Sequence, residues 1–140
     1  MLLAIDIENK ITNVGIFENK KLIGNFEITT DKNKSVDEIY LTLKLMLMDK
    51  EIKFSDIDHV IISTVVPELL ESYSKISQKI TNKNPIIISP GVKTGINIKC
   101  ENPKEVGTDR IIRAVGASDI YDKNIIIISA STITTIDYIN

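Results

Sequence analysis

Asp109 and Arg110 stand side by side in the run Val106-Gly107-Thr108-Asp109-Arg110. A carboxylate can take a proton from a hydroxyl, and a guanidinium can hold an anionic group. Just upstream, Asn102-Pro103 reads as a turn, because proline keeps the residue before it out of the helical region. After Gly107 the apolar residues Ile111, Ile112, Val115 and Ile120 recur at helical spacing. The spacing predicts a helix that starts near Thr108, with Thr108 as its N-cap. Asp109 then falls in the first turn, at the positive end of the helix dipole. The pair is expected side by side and exposed at a helix mouth. Two readings of Asp109 stand open: a capping carboxylate beside a solvated arginine, or a general base beside an anion-holding group. The residues alone favour the first, since short motifs match by chance.

The elements that would position this pair follow from periodicity. Leu2 to Ile5, Thr12 to Phe17 and Lys21 to Thr29 read as three strands joined by short turns, an antiparallel meander. Asn19-Lys20 is the second turn, where asparagine tolerates a positive φ. Ser35 to Met48 reads as a helix, with Ser35 and Glu38 spaced as a capping box and Ile39, Leu43, Met46 and Leu47 as its apolar stripe. Val60 to Ser63 is a strand too apolar to be half exposed. Pro67 suits the first turn of a helix over Glu68 to Ile80, and Ile86 to Ile88 is a further short buried strand. Ile125 to Ile128 is the last such apolar strand, leading into Ser129-Ala130-Ser131-Thr132-Ile133-Thr134-Thr135. Apolar strands alternating with helices predict parallel pairing under helical cover, joined to the meander in one sheet. The fold class is α/β, a mixed sheet of a three-stranded antiparallel meander plus parallel strands, with helices packed against it.

Pro90-Gly91-Val92-Lys93-Thr94-Gly95, then Asn102-Pro103, then Val106-Gly107-Thr108-Asp109-Arg110 resembles the type III pantothenate kinases, which carry these motifs in this order. The resemblance runs from Met1 to Asn140 and covers about half of that family's two-domain fold. It implies a ribonuclease-H-like (actin-like ATPase) fold. Residues 1–122 would be the first domain, and 123–140 the opening strand and phosphate-loop remnant of a truncated second. It implies ATP-dependent phosphorylation of pantothenate to 4′-phosphopantothenate, the first step of coenzyme A biosynthesis. Asp109 would be the catalytic base. Gly107, Thr108, Asp109 and Arg110 would form the substrate site, with Cys100 where the family often has an aromatic contact. ATP would be held by Asp6, Asn9, Lys10, Thr12, Asn13 and Thr132, with Mg2+.

The resemblance also exposes departures. The family's first phosphate loop reads aspartate-x-glycine-asparagine-threonine, against Asp6-Ile7-Glu8-Asn9-Lys10. Glu8 puts bulk and negative charge where glycine would let backbone approach a phosphate. At about 4 Å and an effective dielectric near 20, that repulsion is about 4 kcal/mol. In the second loop Ser129 and Ser131 replace the family's aspartate and glycine, while Thr132, Thr134 and Thr135 remain. The family aspartate binds a monovalent cation (K+ or NH4+), so Ser129, with Asp6, marks the expected metal position. Expected partners are pantothenate, ATP, and either a second copy in a homodimer or a separate chain completing the second domain. The alternative reading is a non-catalytic regulatory or interaction module derived from the same fold.

Composition narrows the classes. A formal net charge of −2 and a pI near 5.4 argue against a nucleic-acid surface. Cys100 is the only cysteine, so no internal disulfide is possible, which suits a reducing cytoplasm. Cys100 reads as a passive small residue and His59, the only histidine, as a surface one. The apolar run from Met1 to Ile5 stops at Asp6, too short for a signal peptide or a membrane span.

Overall fold

The computed structural model describes residues 1–89, 92–122, 124–130 and 132–140, with the backbone but not the side chain of residue 104. The chain divides into two compact units, Met1–Ile88 and Ser89–Asn140.

In the first unit β1 (Leu2–Ile7), β2 (Ile11–Glu18) and β3 (Lys21–Thr29) form the expected meander. The β2–β3 turn is made by Asn19 and Lys20, with φ of 48° and 67°. Two consecutive left-handed residues match the right-handed twist of the strands they join. Next comes α1 (Val36–Asp49). Ser35 caps it, and its hydroxyl accepts from the Glu38 amide while the Glu38 carboxylate accepts from the Ser35 amide at 2.8 Å. β4 (His59–Thr64) returns parallel to β1, and α2 (Pro67–Thr81) starts on its proline and ends at Asn82 in the left-handed region. β5 (Ile86–Ile87) pairs parallel to β4, which completes a five-stranded mixed sheet in the order β3-β2-β1-β4-β5. This is the sheet anticipated for an actin-like ATPase domain.

Alternation places Leu3, Ile5 and Ile7 of β1, Val14 and Ile16 of β2, and Val60 and Ile62 of β4 in one core. α1 covers it with Ile39, Leu43 and Leu47, and α2 with Leu69, Tyr73 and Ile76. Met46 departs from the expected stripe and is exposed. The buried line of α1 advances in steps of four residues, so it rotates away from Met46. His59 is exposed at the start of β4.

In the second unit, α3 (Thr108–Ile120) packs against a hairpin of β6 (Ile125–Ala130) and β7 (Thr134–Ile139). The apolar run Ile125 to Ile128 is therefore not a parallel strand of the main sheet. It pairs antiparallel with β7 in a separate two-stranded sheet, with Ile126 opposite Tyr138 and Ile128 opposite Ile136. Its reading as a buried strand rested on hydrophobicity, but its residues alternate between half-buried and exposed. Pro90, Gly91 and Ser131, which entered the sequence motifs, lie outside the described residues.

Candidate functional site

The helix mouth forms one residue earlier than its sequence suggests. Gly107, with φ −59° and ψ 144°, is the N-cap of α3, and no side chain caps it. Thr108, expected as the cap, is instead the first helical residue and is buried. A single 3-10 turn over Pro103–Glu105 precedes it, so the Asn102-Pro103 turn holds.

Asp109 and Arg110 are not an exposed pair bonded to each other. Asp109 Oδ2 accepts from Arg113 Nη1 at 2.7 Å, one turn along the helix, with side chains 22% and 25% exposed. Arg110 reaches β7 instead. Its Nε donates to both Asp137 carboxylate oxygens, at 3.0 and 3.2 Å, and its Nη2 also bonds Asp137. The hydrogen bonds that Arg110 donates to the Asp137 carboxylate push the guanidinium pKa above its ordinary value, so it stays charged at every working pH. An i,i+4 acid–base pair is worth only about 0.3–0.5 kcal/mol of helix stability. The Asp109–Arg113 contact matters more for where it holds the carboxylate than for what it adds to folding.

A cleft of about 740 Å³ opens beside α3, lined by Lys99, Cys100, Val106, Arg110, Asp137 and Tyr138 among others. Its size suits a small organic ligand. Arg110 and the exposed Cys100 thus share one cavity, while Asp109 is absent from its lining and sits one residue away on the first turn.

The phosphate-side residues are spread over both units. In the first unit Asn9 and Lys10 are exposed at the β1–β2 turn, which is closed by the Glu8 amide donating to the Ile11 carbonyl at 3.0 Å. Asp6 and Asn13 face each other across β1 and β2, half-buried. Thr12 corrects the sequence reading. It lies on the core face and is fully buried, and its hydroxyl shares a 2.8 Å hydrogen bond with Thr30. It cannot reach a phosphate without unpacking the core. In the second unit Thr132 is exposed in the β6–β7 turn, and Ser129 sits within β6 opposite Thr135.

The donor sets differ in what they could hold. Asp6 offers the single carboxylate that Mg2+ on a nucleotide commonly uses, alongside phosphates and water. Ser129 and Thr135 offer neutral hydroxyls, and Asp137 on the same strand face is committed to Arg110. That set lacks the free carboxylate that the resemblance implies for the monovalent cation. Among the described residues no group of three or more His, Cys, Asp or Glu could hold a metal ion.

A family profile described as type III pantothenate kinase matches residues 2–140. The chain belongs to the type III pantothenate kinase family. Three curated type III pantothenate kinases align over all 140 residues: those of Syntrophotalea carbinolica at 41% identity, Listeria welshimeri at 39% and a Geobacillus species at 40%. The chain spans about half the length of these relatives, 55% of the first and 54% of the other two. Asp109 and Arg110 fall within the residues that the family profile matches. Sequence reasoning missed their partners, Arg113 and Asp137. The Asp109–Arg113 spacing of four on a helix was a readable signal. The Arg110–Asp137 pair joins residues 27 apart in sequence and needed the register of β7.

Proposed function

We propose that this chain carries the pantothenate side and one phosphate loop of a pantothenate kinase, a transferase that moves the γ-phosphate of ATP onto the pantothenate hydroxyl. The Gly107–Arg110 motif at the first turn of α3, with Arg110 and Cys100 lining one cleft, carries the reading. Asp109 accepts the hydroxyl proton and so raises the nucleophilicity of the oxygen that attacks phosphorus. Arg110 and the Gly107–Thr108 backbone orient the substrate. Asn9 and Lys10 at the exposed β1–β2 turn, with Asp6 and Asn13 behind them, meet the ATP phosphates. Mg2+ held through Asp6 would neutralise phosphate charge. Residues 1–122 act as the first domain and 123–140 open the second, with a homodimer partner or a separate chain that supplies the second domain as the expected assembly. The setting is cytoplasmic. Among the described residues no helix is long and apolar enough to cross a membrane.

The test is transfer of labelled γ-phosphate to pantothenate by the chain and its Asp109→Asn variant. The reading expects transfer that falls by about 10²–10⁴-fold in the variant, the usual worth of a general base. Transfer that is equal in both removes Asp109 from the chemistry.

Two observations favour the second reading, a non-catalytic module. Glu8 occupies the phosphate turn, and the Ser129 position lacks the carboxylate that the resemblance implies for a cation. On that reading ATP binding is weak, and Glu8→Gly strengthens it by about 2–4 kcal/mol, the Coulomb term discounted for exposure. Calorimetry with Mg-ATP decides. Tight binding by the parent with no gain from Glu8→Gly favours the kinase.

A further inference from the structure

We infer that Arg113 is a positioning residue for Asp109, fixing which carboxylate oxygen meets the substrate hydroxyl. The inference rests on the reading of Asp109 as hydroxyl acceptor and goes beyond the Gly107–Arg110 motif, which does not contain Arg113.

The geometry is specific. Arg113 lies four residues after Asp109 on α3, which brings the two side chains to the same face. Acid on the N-terminal side and base on the C-terminal side is the favourable order along a helix dipole. The contact runs from Nη1 to Oδ2 at 2.7 Å. A carboxylate so held cannot spin freely, and Oδ1 is left as the oxygen that an incoming hydroxyl finds. Both side chains are largely shielded, at 25% and 22% exposure, so water competes for the contact less than at an open surface pair. Arg110 cannot take over this task, because its Nε and Nη2 are engaged by Asp137 across the hairpin. The two arginines of α3 thus have separate work. Arg110 ties the helix to β7 and lines the cleft, and Arg113 sets the aim of Asp109.

Orientation matters because proton transfer needs the acceptor within hydrogen-bond reach of the hydroxyl, and a small misplacement is costly. Loss of Arg113 should therefore remove the benefit that Asp109 draws from the hydroxyl, while general substrate contacts persist.

The experiment compares two ligands on the 140-residue chain by calorimetry: pantothenate, and an analogue lacking the acceptor hydroxyl. The parent should bind pantothenate about tenfold more tightly, the scale of one charge-assisted hydrogen bond. Arg113→Gln should shrink that preference to near unity while leaving the analogue's affinity in place, and Arg113→Lys should recover part of it. A merely structural role would weaken both ligands together. If Arg113→Gln keeps the full preference, the inference is overturned and the Asp109 reading survives. If the parent shows no preference, or binds neither ligand, the Asp109 reading fails and the inference with it.

Discussion

The two units of the chain are built on different terms. The first buries sixteen apolar side chains in one cluster between the sheet and two helices. In the second, α3 buries only Thr108, Ile111 and Ala114, and the outer face of its hairpin shows Ile126, Ile128, Ile136 and Tyr138 at 63–68% exposure. The first unit is held by apolar burial. The second ties its helix to its hairpin by one ion pair, Arg110–Asp137, over a thin core. The difference teaches where chemistry can sit. Charged groups are tolerated at the edge of a lightly packed unit, whereas the well-packed unit keeps charged side chains out of its core.

The largest expected effect tests this contrast. Leu43→Ala in the first unit leaves a cavity in a fully buried site and should cost about 2–5 kcal/mol in urea unfolding. Ile128→Ala on the open hairpin face should cost about 0.5 kcal/mol or less. Equal costs would mean that the hairpin face is covered in solution and would break the comparison.

The next effect concerns that face. Four large apolar side chains on an uncovered two-stranded sheet invite association, and a two-stranded hairpin is marginal alone. Sedimentation at concentrations of about 10–100 µM, a range where exposed apolar surface drives assembly, should show self-association. Ile128→Lys with Ile136→Lys should weaken it by at least about tenfold, or 1.4 kcal/mol. A parent that sediments as a monomer contradicts this.

The smallest effect is a pH slope in the first unit. The Ser35 hydrogen bonds hold the Glu38 carboxyl below its ordinary value of 4.5. A carboxyl depressed by folding adds stability above its unfolded value and loses it as pH falls through the folded one. The capping box should therefore help fully above pH 4.5 and fade below it. Glu38→Gln should flatten that part of the stability–pH curve, and an unchanged slope would remove the capping box from the acid response.

Much of the first unit was legible because its signals are local. The bounds of β3, the Asn19-Lys20 turn and the Ser35–Glu38 box each depend on residues a few positions apart. The burial of Thr12 was legible: it shares strand parity with Val14 and Ile16, so alternation already turned it inward. The motifs Pro90 to Gly95, Asn102-Pro103 and Val106 to Arg110, taken in order, carried the family resemblance, and the spacing after Gly107 gave the helix mouth to within one residue. What Arg110 touches was hidden, because Asp137 reaches it only through hairpin register. The strand from Ile125 was misplaced because a run of isoleucines looks the same whether it is buried on both faces or on one.

The central claim is that the pantothenate side lies on α3 while the β1–β2 turn serves ATP. Amide chemical shifts of the 140-residue chain, recorded with pantothenate and then with Mg-ATP, test it most directly. The account predicts that pantothenate moves the Gly107, Thr108, Asp109 and Cys100 signals and leaves Glu8, Asn9 and Lys10 in place, with Mg-ATP doing the reverse in the first unit. Pantothenate shifts confined to the first unit, or none at Gly107 to Arg110, would contradict it.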